Sequence, residues 1–326
     1  MTPATVYVIG YKGDRWLPSC IASLRDASES KLDLVLIDNV ENSCLQQLPL
    51  DSFATRVVST PRPMGFADAH NFGIVAAPPR GEHVVLLNQD TRSQPGWLDA
   101  ACACLETHPE LGVLSPGLRT YDDDGWDPNF LDCVRLSGVS ERALDGQQGL
   151  QRADNVTGAA IVVRRSVLAE VGLFDPIFES YYEDYDFCQR ARAAAWQVGY
   201  LPSARVQHFS GSATTTPAAV RRRTRQILRN RVITKLRASD SRLRALLAHL
   251  ASELPRNLLR GLLRTPSSQP LSCTLRAHAQ LLRLAPRLLS ARADRSRWRA
   301  HLTAIGWSDA LAAAPSRPAP RPHPRT

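Results

Sequence analysis

Short, nearly unbroken apolar runs alternate with stretches of helical spacing through the first part of the chain. Val6–Ile9 is the first run and ends at Gly10. Residues 16–25 follow, with Trp16, Leu17, Cys20, Ile21 and Leu24 at helical spacing. Leu34–Ile37 ends at Asp38 and Asn39, and Arg56–Ser59 makes a third run. Phe66–Val75 reads as a helix, and His83–Leu87 as a strand ending at Asn88-Gln89-Asp90. Pro95–Leu105 reads as a helix with proline near its start. Continuous apolar strands separated by helices belong to a parallel sheet covered on both faces, so the pattern predicts a Rossmann-like α/β fold.

Residues 115–152 break this rhythm with an acidic patch, Asp122–Asp124, and several glycines and prolines. Ala159–Val163 then predicts a strand. Ser166 is expected to cap a short helix, Val167–Val171, that Gly172 stops. Residues 184–195 read as a helix and 198–207 as a last strand. From about residue 217 the pattern is helical and basic. Leu243, Leu246, Leu247, Leu250 and Leu254 share one face. Leu258, Leu259, Leu262 and Leu263 form a second stripe, with Arg256, Arg260 and Arg264 opposite. Pro255, Pro266, Pro270 and Pro286 are expected to cut this region into short helices. The Pro- and Arg-rich end cannot bury a core and is expected to be disordered. The expected domains are residues 1–216, 217–312 and a tail at 313–326.

Charge sharpens that division. Residues 1–216 hold 17 Lys and Arg against 27 Asp and Glu, whereas residues 217–326 hold 23 against 4. A basic part of this kind points to an anionic partner such as a membrane surface. Its cations alternate with leucines rather than with stacking aromatics, so nucleic acid is not the expected partner. No apolar run reaches the ~18 residues of a membrane span. The opening MTPATVYVIGYKG lacks the basic start and cleavage site of a secretory signal, which predicts a cytoplasmic protein. Seven irregularly spaced cysteines without a CxxC pair fit reduced thiols.

The candidate chemistry lies where strands end, which is where open parallel sheets bind ligands. Asp38 follows the second run, Asp90 the fourth, and Glu183-Asp184 stands before a helix. Each alone is also explained as a helix cap or a solvated loop charge. A sugar diphosphate is anionic, and a carboxylate binds it through Mg²⁺ or Mn²⁺; Asp90 is suited to that. Asp184 is suited to take a proton from an attacking hydroxyl. Tyr181, Tyr182 and Tyr185 around it read either as a sugar platform or as core packing. His208 reads either as structural or as a nitrogen ligand beside a metal. Gly10-Tyr11-Lys12-Gly13 is neither a Walker loop nor a GxGxxG turn, which counts against nucleotide hydrolysis and dinucleotide binding.

In order, these pieces resemble glycosyltransferase family 2, in particular its bacterial rhamnosyltransferase-like members, over roughly residues 4–235. They are Val6–Tyr11, Val35–Asn39, Gly65-Phe66-Ala67 with Asn71 and Gly73, Leu86–Thr91, and Pro95–Leu98. The most specific stretch holds Thr157-Gly158-Ala159, Arg165, Val171–Asp175, Glu183–Asp186, Arg190 and His208, followed by Arg229-Asn230. The resemblance implies a GT-A fold and an inverting, single-displacement transfer from a nucleotide sugar to a glycan or lipid-linked hydroxyl, as in cell-surface polysaccharide synthesis. It implies that Asp38 contacts the nucleotide base, that Asp90 belongs to a DxD-like metal motif, and that Asp184 is the base. His208 would help hold metal or diphosphate. Gly10, Tyr11, Gly65, Asn88, Gly158 and Glu183 would join Asp38 in binding substrate. The chain departs from the family pattern in Asn88-Gln89-Asp90, where only the last residue is acidic, and at Pro63, His70 and Ala195. The competing readings are an inactive family member acting as a scaffold and a nucleic-acid-binding protein.

Overall fold

The computed structural model describes residues 4–39, 42–138, 141–146, 149–210, 216–263 and 270–307. The described residues fall into two units. One holds those up to Phe174, Asp184–Ser210 and those from Ile305 on; the other holds Asp175–Glu183 and the remainder up to Ala304.

The first unit opens with β1 (Thr5–Gly10), α1 (Leu17–Leu24), β2 (Asp33–Asp38), β3 (Ala54–Ser59), α2 (Phe66–Ala76) and β4 (His83–Asn88). It continues with β5 (Thr91–Ser93), α3 (Trp97–Thr107), β6 (Leu111–Thr120), α4 (Pro128–Leu136), α5 (Glu141–Gly146) and β7 (Gln151–Ala153). It ends with β8 (Ala160–Arg164), α6 (Arg165–Val171), α7 (Glu183–Ala193) and β9 (Gln197–His208). The strands form one sheet in the order β3-β2-β1-β4-β8-β6-β9-β5, with β7 paired to β9. The apolar runs read from the sequence are the central strands: Val6, Val8, Leu34, Leu36, Val85, Leu87 and Val162 are buried in one core with Leu17, Ile21 and Leu24 of α1.

The sheet is mixed, with both parallel and antiparallel pairs. β1 to β4 run parallel to their neighbours, but β8 is antiparallel to both β4 and β6, and β5 and β7 are antiparallel to β9. Its geometry gathers chemistry at one edge. Gly10, Asp38 and Asn88 end parallel strands in register or within one residue of it. Antiparallel β8 begins at that edge, with Ala160 opposite Leu87. β9 runs parallel to β6, so His208 finishes at the same edge.

Local expectations meet the structure unevenly. Ser166 lies inside α6 instead of capping it; the cap position is Arg164, with no side-chain hydrogen bond. Gly172 does end the helix, at φ +78°. The stretch that looked irregular contains β6, α4, α5 and β7. A Cβ at Gly73 would collide with Ile37, which is why α2 can lie so close to β2 only with glycine there.

The second unit contains α8 (Pro217–Ala238), α9 (Arg242–Ala248), a π turn at His249–Glu253, α10 (Leu254–Leu262), α11 (Leu271–Leu289) and α12 (Ala291–Ala304). Its core joins Ile177 and Phe178 to Val232, Ile233 and Leu236 of α8 and Leu281 and Leu288 of α11. Pro270 caps α11 and Pro255 stands in the first turn of α10, but α11 passes through Pro286 without ending. The side chains of Arg260 and Arg264, Pro266, and the expected tail at 313–326 lie outside the described residues. The Arg229-Asn230 pair grips the segment before α7. Arg229 donates to the carbonyls of Ile177 and Phe178 and to Glu179 Oε1 (2.9, 3.1 and 2.7 Å). Asn230 Nδ2 donates to Phe178, Ser180 and Tyr181 carbonyls (2.8, 2.9 and 2.7 Å). These contacts hold a turn in which Glu179, Tyr181 and Tyr182 all take positive φ.

Candidate active site

At the end of β1 the chain must turn away from the sheet. Asn42 fixes that turn: its Nδ2 donates to Gly10 O (2.7 Å) and Asp38 Oδ1 (2.6 Å), and its Oδ1 accepts from Gly13 N (2.8 Å). Asn39, buried, pairs with both backbone atoms of Met64 (2.9 and 2.8 Å) and so sets the approach to Gly65, the residue before α2. Gln89 donates to Tyr11 O and accepts from Tyr11 N, both at 2.9 Å, tying the first loop to the fourth. Gly10, Tyr11, Asp38, Gly65 and the Asn88–Asp90 turn are thus one bonded set at one sheet edge. Asp38 is half-exposed there, while Asp90 is buried.

Asp90 faces His208. Its Oδ1 lies 3.5 Å from His208 Nε2, and Asn88 Nδ2 lies 3.4 Å from the same nitrogen. Behind the ring stands Asp127, fully buried, whose Oδ2 is 3.0 Å from His208 Nδ1 and accepts from Ser210 (2.5 Å). Its Oδ1 caps α4 by accepting from Asn129 N (2.8 Å) and Phe130 N (3.0 Å). Burial disfavours a charge on His208, but hydrogen bonds to Asp127 and Asp90 outweigh it and push its pKa up to about 9. Burial also opposes the charge on Asp127, yet the bond from His208 leads the effects that hold its carboxyl below the usual range.

Among the described residues no three His, Cys, Asp or Glu side chains form a metal cluster. What is present is a buried carboxylate beside an imidazole whose Nδ1 is held by a second carboxylate, leaving Nε2 aimed at Asp90. A carboxylate behind a ligating histidine is the usual way its tautomer is fixed. Two protein donors suffice for an ion that takes its remaining oxygens from phosphate and water. The residues fit on those terms.

A second carboxylate lies across β4 and β8. Asp184, in the first turn of α7, accepts from Gly158 N at Oδ2 (2.7 Å) and from Tyr185 N at Oδ1 (2.8 Å). A Cβ at Gly158 would lie 3.3 Å from Oδ2, so glycine lets this backbone come close. Gly158 precedes Ala159, whose carbonyl accepts from Asn88 N, so both carboxylates border the same pair of strands. Burial raises the pKa of Asp184, opposed by neutral backbone N–H donors.

Glu183 is buried and falls with the second unit, as do Tyr181 and Tyr182; Tyr182 packs against that unit's apolar core. Arg190, which carried part of the resemblance, is structural: it bonds Asp186 (2.9 Å) and the carbonyls of Val171 (2.6 Å) and Leu173 (2.7 Å). Sequence reasoning missed Asn39 in its bonding role, Asn42, Gln89 and Asp127. Only Asp127 left a readable signal, an Asp-Pro pair at the start of a helix.

The sequence profile of the family described as Glycosyl transferase family group 2 matches residues 83–290. The chain belongs to that family. It is 26% identical over 236 residues to the N-acetylglucosaminyl-diphospho-decaprenol L-rhamnosyltransferase of Mycobacterium tuberculosis, covering 64% of this chain and 76% of that one. Among solved structures it resembles the mannosyltransferase PcManGT of Pyrobaculum calidifontis in complex with GDP-Man and Mn²⁺, at a TM-score of 0.56 and 15% identity, over 95% of this chain and 86% of that one. It also resembles GalNAc-T7 with UDP, GalNAc and Mn²⁺, at a TM-score of 0.51 and 17% identity, over 70% of this chain; it spans 47% of that longer chain. These likenesses show the GT-A fold, and the family makes the protein a glycosyltransferase. No helix among the described residues is long and apolar enough to cross a membrane.

Proposed function

We propose that this glycosyltransferase moves an L-rhamnosyl group, with inversion, from a nucleoside-diphosphate sugar to a hydroxyl of a diphospho-polyprenol-linked N-acetylhexosamine at the cytoplasmic face of a membrane, in cell-surface polysaccharide synthesis. The transferred sugar and the acceptor class come from the rhamnosyltransferase relative, whose name carries both. The observation that carries the mechanism is the meeting of Asp90–His208 and Gly158–Asp184 beside strands that end in Gly10 and Asp38.

On this reading Asp38 and the Gly10-Tyr11 turn hold the nucleoside, with Gly65 and Asn88 close by. Asp90 and His208 Nε2 hold Mg²⁺ or Mn²⁺, which supplies the positive charge that a departing diphosphate needs. The acceptor oxygen attacks the anomeric carbon as the bond to the diphosphate oxygen breaks, and the hydroxyl proton goes to Asp184. A single displacement inverts the anomeric centre. Burial suits Asp184 to the task, because a carboxylate with a raised pKa is a stronger base than a solvated one. On the same reading residues 1–216 carry the transfer and residues 217–312 serve the lipid surface.

The test is a panel of nucleotide sugars, nucleoside-diphosphate L-rhamnose among them, assayed with a diphospho-polyprenol-linked N-acetylglucosamine in Mn²⁺ and in chelator. Product configuration is read by NMR. Metal-dependent rhamnosyl transfer with inversion is expected. Transfer of a different sugar, or retention of configuration, would overturn the corresponding part of the reading.

A further inference from the structure

The leucine stripes of the second unit divide into two sets. Leu246 of α9 and Leu281, Leu284 and Leu288 of α11 turn inward onto the core around Phe178. A second set does not. Leu243, Leu247 and Leu250, spaced three and four residues apart, are 57, 56 and 40% exposed. Leu275, Leu282 and Leu289 recur every seven residues along α11, which places them on one line of the helix, and all three are exposed. Leu259, Leu262 and Leu263 of α10 and its end are exposed as well. Of the thirteen exposed large hydrophobics among the described residues, nine are these leucines. A helix that needed only to pack on its own protein requires one apolar stripe; α9 and α11 carry two.

The charge around the outward set points to what covers it. Between Arg242 and Leu289 there are eight arginines, one glutamate, no aspartate and no lysine. Arg242 and Arg287 bond Asp294. Arg244, Arg276 and Arg283, each next to or near an outward leucine, are exposed and make no ion pair among the described residues. A second copy would bring the same cations to the contact, so self-association through this face works against Coulomb repulsion. Nucleic acid would meet the arginines but leave the leucines without an apolar partner. A bilayer with anionic headgroups satisfies both: leucines enter the acyl boundary while guanidinium forks meet phosphodiesters.

We propose that α9 to α11 form a docking face for an anionic phospholipid bilayer. This deepens the lipid-linked-acceptor reading and rests on it for its purpose, but it is measured without any transfer reaction. The test is flotation of the full chain with vesicles of phosphatidylcholine alone and of phosphatidylcholine with phosphatidylglycerol. The wild type should float with the anionic vesicles only and be released by high salt. The Leu275→Ser, Leu282→Ser, Leu289→Ser variant removes exposed side chains only, so its circular dichroism should be unchanged, and its partitioning should fall by about tenfold or more. The Arg244→Glu, Arg276→Glu, Arg283→Glu variant should lose the preference for phosphatidylglycerol. Three results would overturn the proposal: no flotation of the wild type, equal partitioning of wild type and leucine variant, or a wild-type dimer in solution that the leucine variant converts to monomer. If the wild type floats as expected but transfers no sugar in the panel above, the functional reading fails and this one stands.

Discussion

A buried carboxylate, Asp90, and a half-buried one, Asp184, face the same strand edge, and their surroundings differ in kind. Asp90 looks onto an imidazole that Asp127 supports from behind, so acidic groups enclose a group whose affinity for protons is raised to about 9. Asp184 has no such partner among the described residues: Gly158 N and Tyr185 N hold its two oxygens, and burial pushes its pKa up. The first region is arranged to keep charge and exchange a cation. The second is arranged to make charge costly, and so to favour taking up a proton. On the proposed reading one edge would serve both ends of a group transfer, the leaving diphosphate at one carboxylate and the attacking hydroxyl at the other.

The contrast breaks most sharply at Asp184. Asp184→Asn keeps the size and one of the two N–H contacts, because its amide nitrogen cannot accept, and it removes the proposed base; turnover should fall by about a hundred- to ten-thousandfold. Stopped assays under saturating donor measure this, and near-normal turnover would remove Asp184 from the chemistry. At the other region, Asp90→Ala should abolish the gain in donor affinity that Mn²⁺ gives the wild type, as read by calorimetry with and without chelator.

Asp127→Asn tests whether the supporting carboxylate matters beyond the fold. Loss of such support behind a ligating histidine costs about ten- to a hundredfold in metal affinity. Mn²⁺ titration followed by EPR in the presence of nucleoside diphosphate reads it independently of turnover. Unchanged affinity would reduce Asp127 to the cap of α4.

Acidification sharpens the comparison further. As the proposed base, Asp184 would work only when ionised, so its raised pKa should shift the loss of activity upward in pH. The acidic limb of kcat should lie above the ordinary aspartate value of about 3.9, and Asp184→Glu should move it. A limb at or below the ordinary value would contradict the desolvated base. The smallest effect is expected for Gly158→Ala, whose Cβ would press on Asp184 Oδ2 at 3.3 Å. Turnover should drop by less than about tenfold, the equivalent of roughly 1.4 kcal/mol, with donor affinity retained.

Legibility in the sequence follows the physics of each region. β1, β2 and β4 are apolar along their length because the sheet is covered on both faces, so their ends, and with them Asp38 and Asp90, could be placed from pattern alone. β6 could not: Ser115, Pro116 and Gly117 interrupt it, and the structure absorbs them with a register shift between Pro116 and Gly117 against β9. The antiparallel course of β8 was hidden because a buried antiparallel strand carries the same apolar run as a parallel one. Asp184 was singled out as a candidate from the sequence, and Asp127 was not, although both accept from backbone N–H groups at a helix start. Asp127's second role depends on meeting His208 from 81 residues away, and no local pattern encodes that meeting. The outward leucines posed the opposite problem. Periodicity put Leu243, Leu246 and Leu247 on one face, yet only packing decides that Leu246 turns inward while the other two stay exposed.

The most direct test of the two-carboxylate account measures donor binding in Mn²⁺ for wild type, Asp184→Asn and Asp90→Ala side by side, using one intact nucleotide sugar in calorimetry. The account predicts that Asp184→Asn binds donor like the wild type while Asp90→Ala binds it far more weakly. Weakened binding in Asp184→Asn together with unchanged binding in Asp90→Ala would reverse the assignment and contradict it.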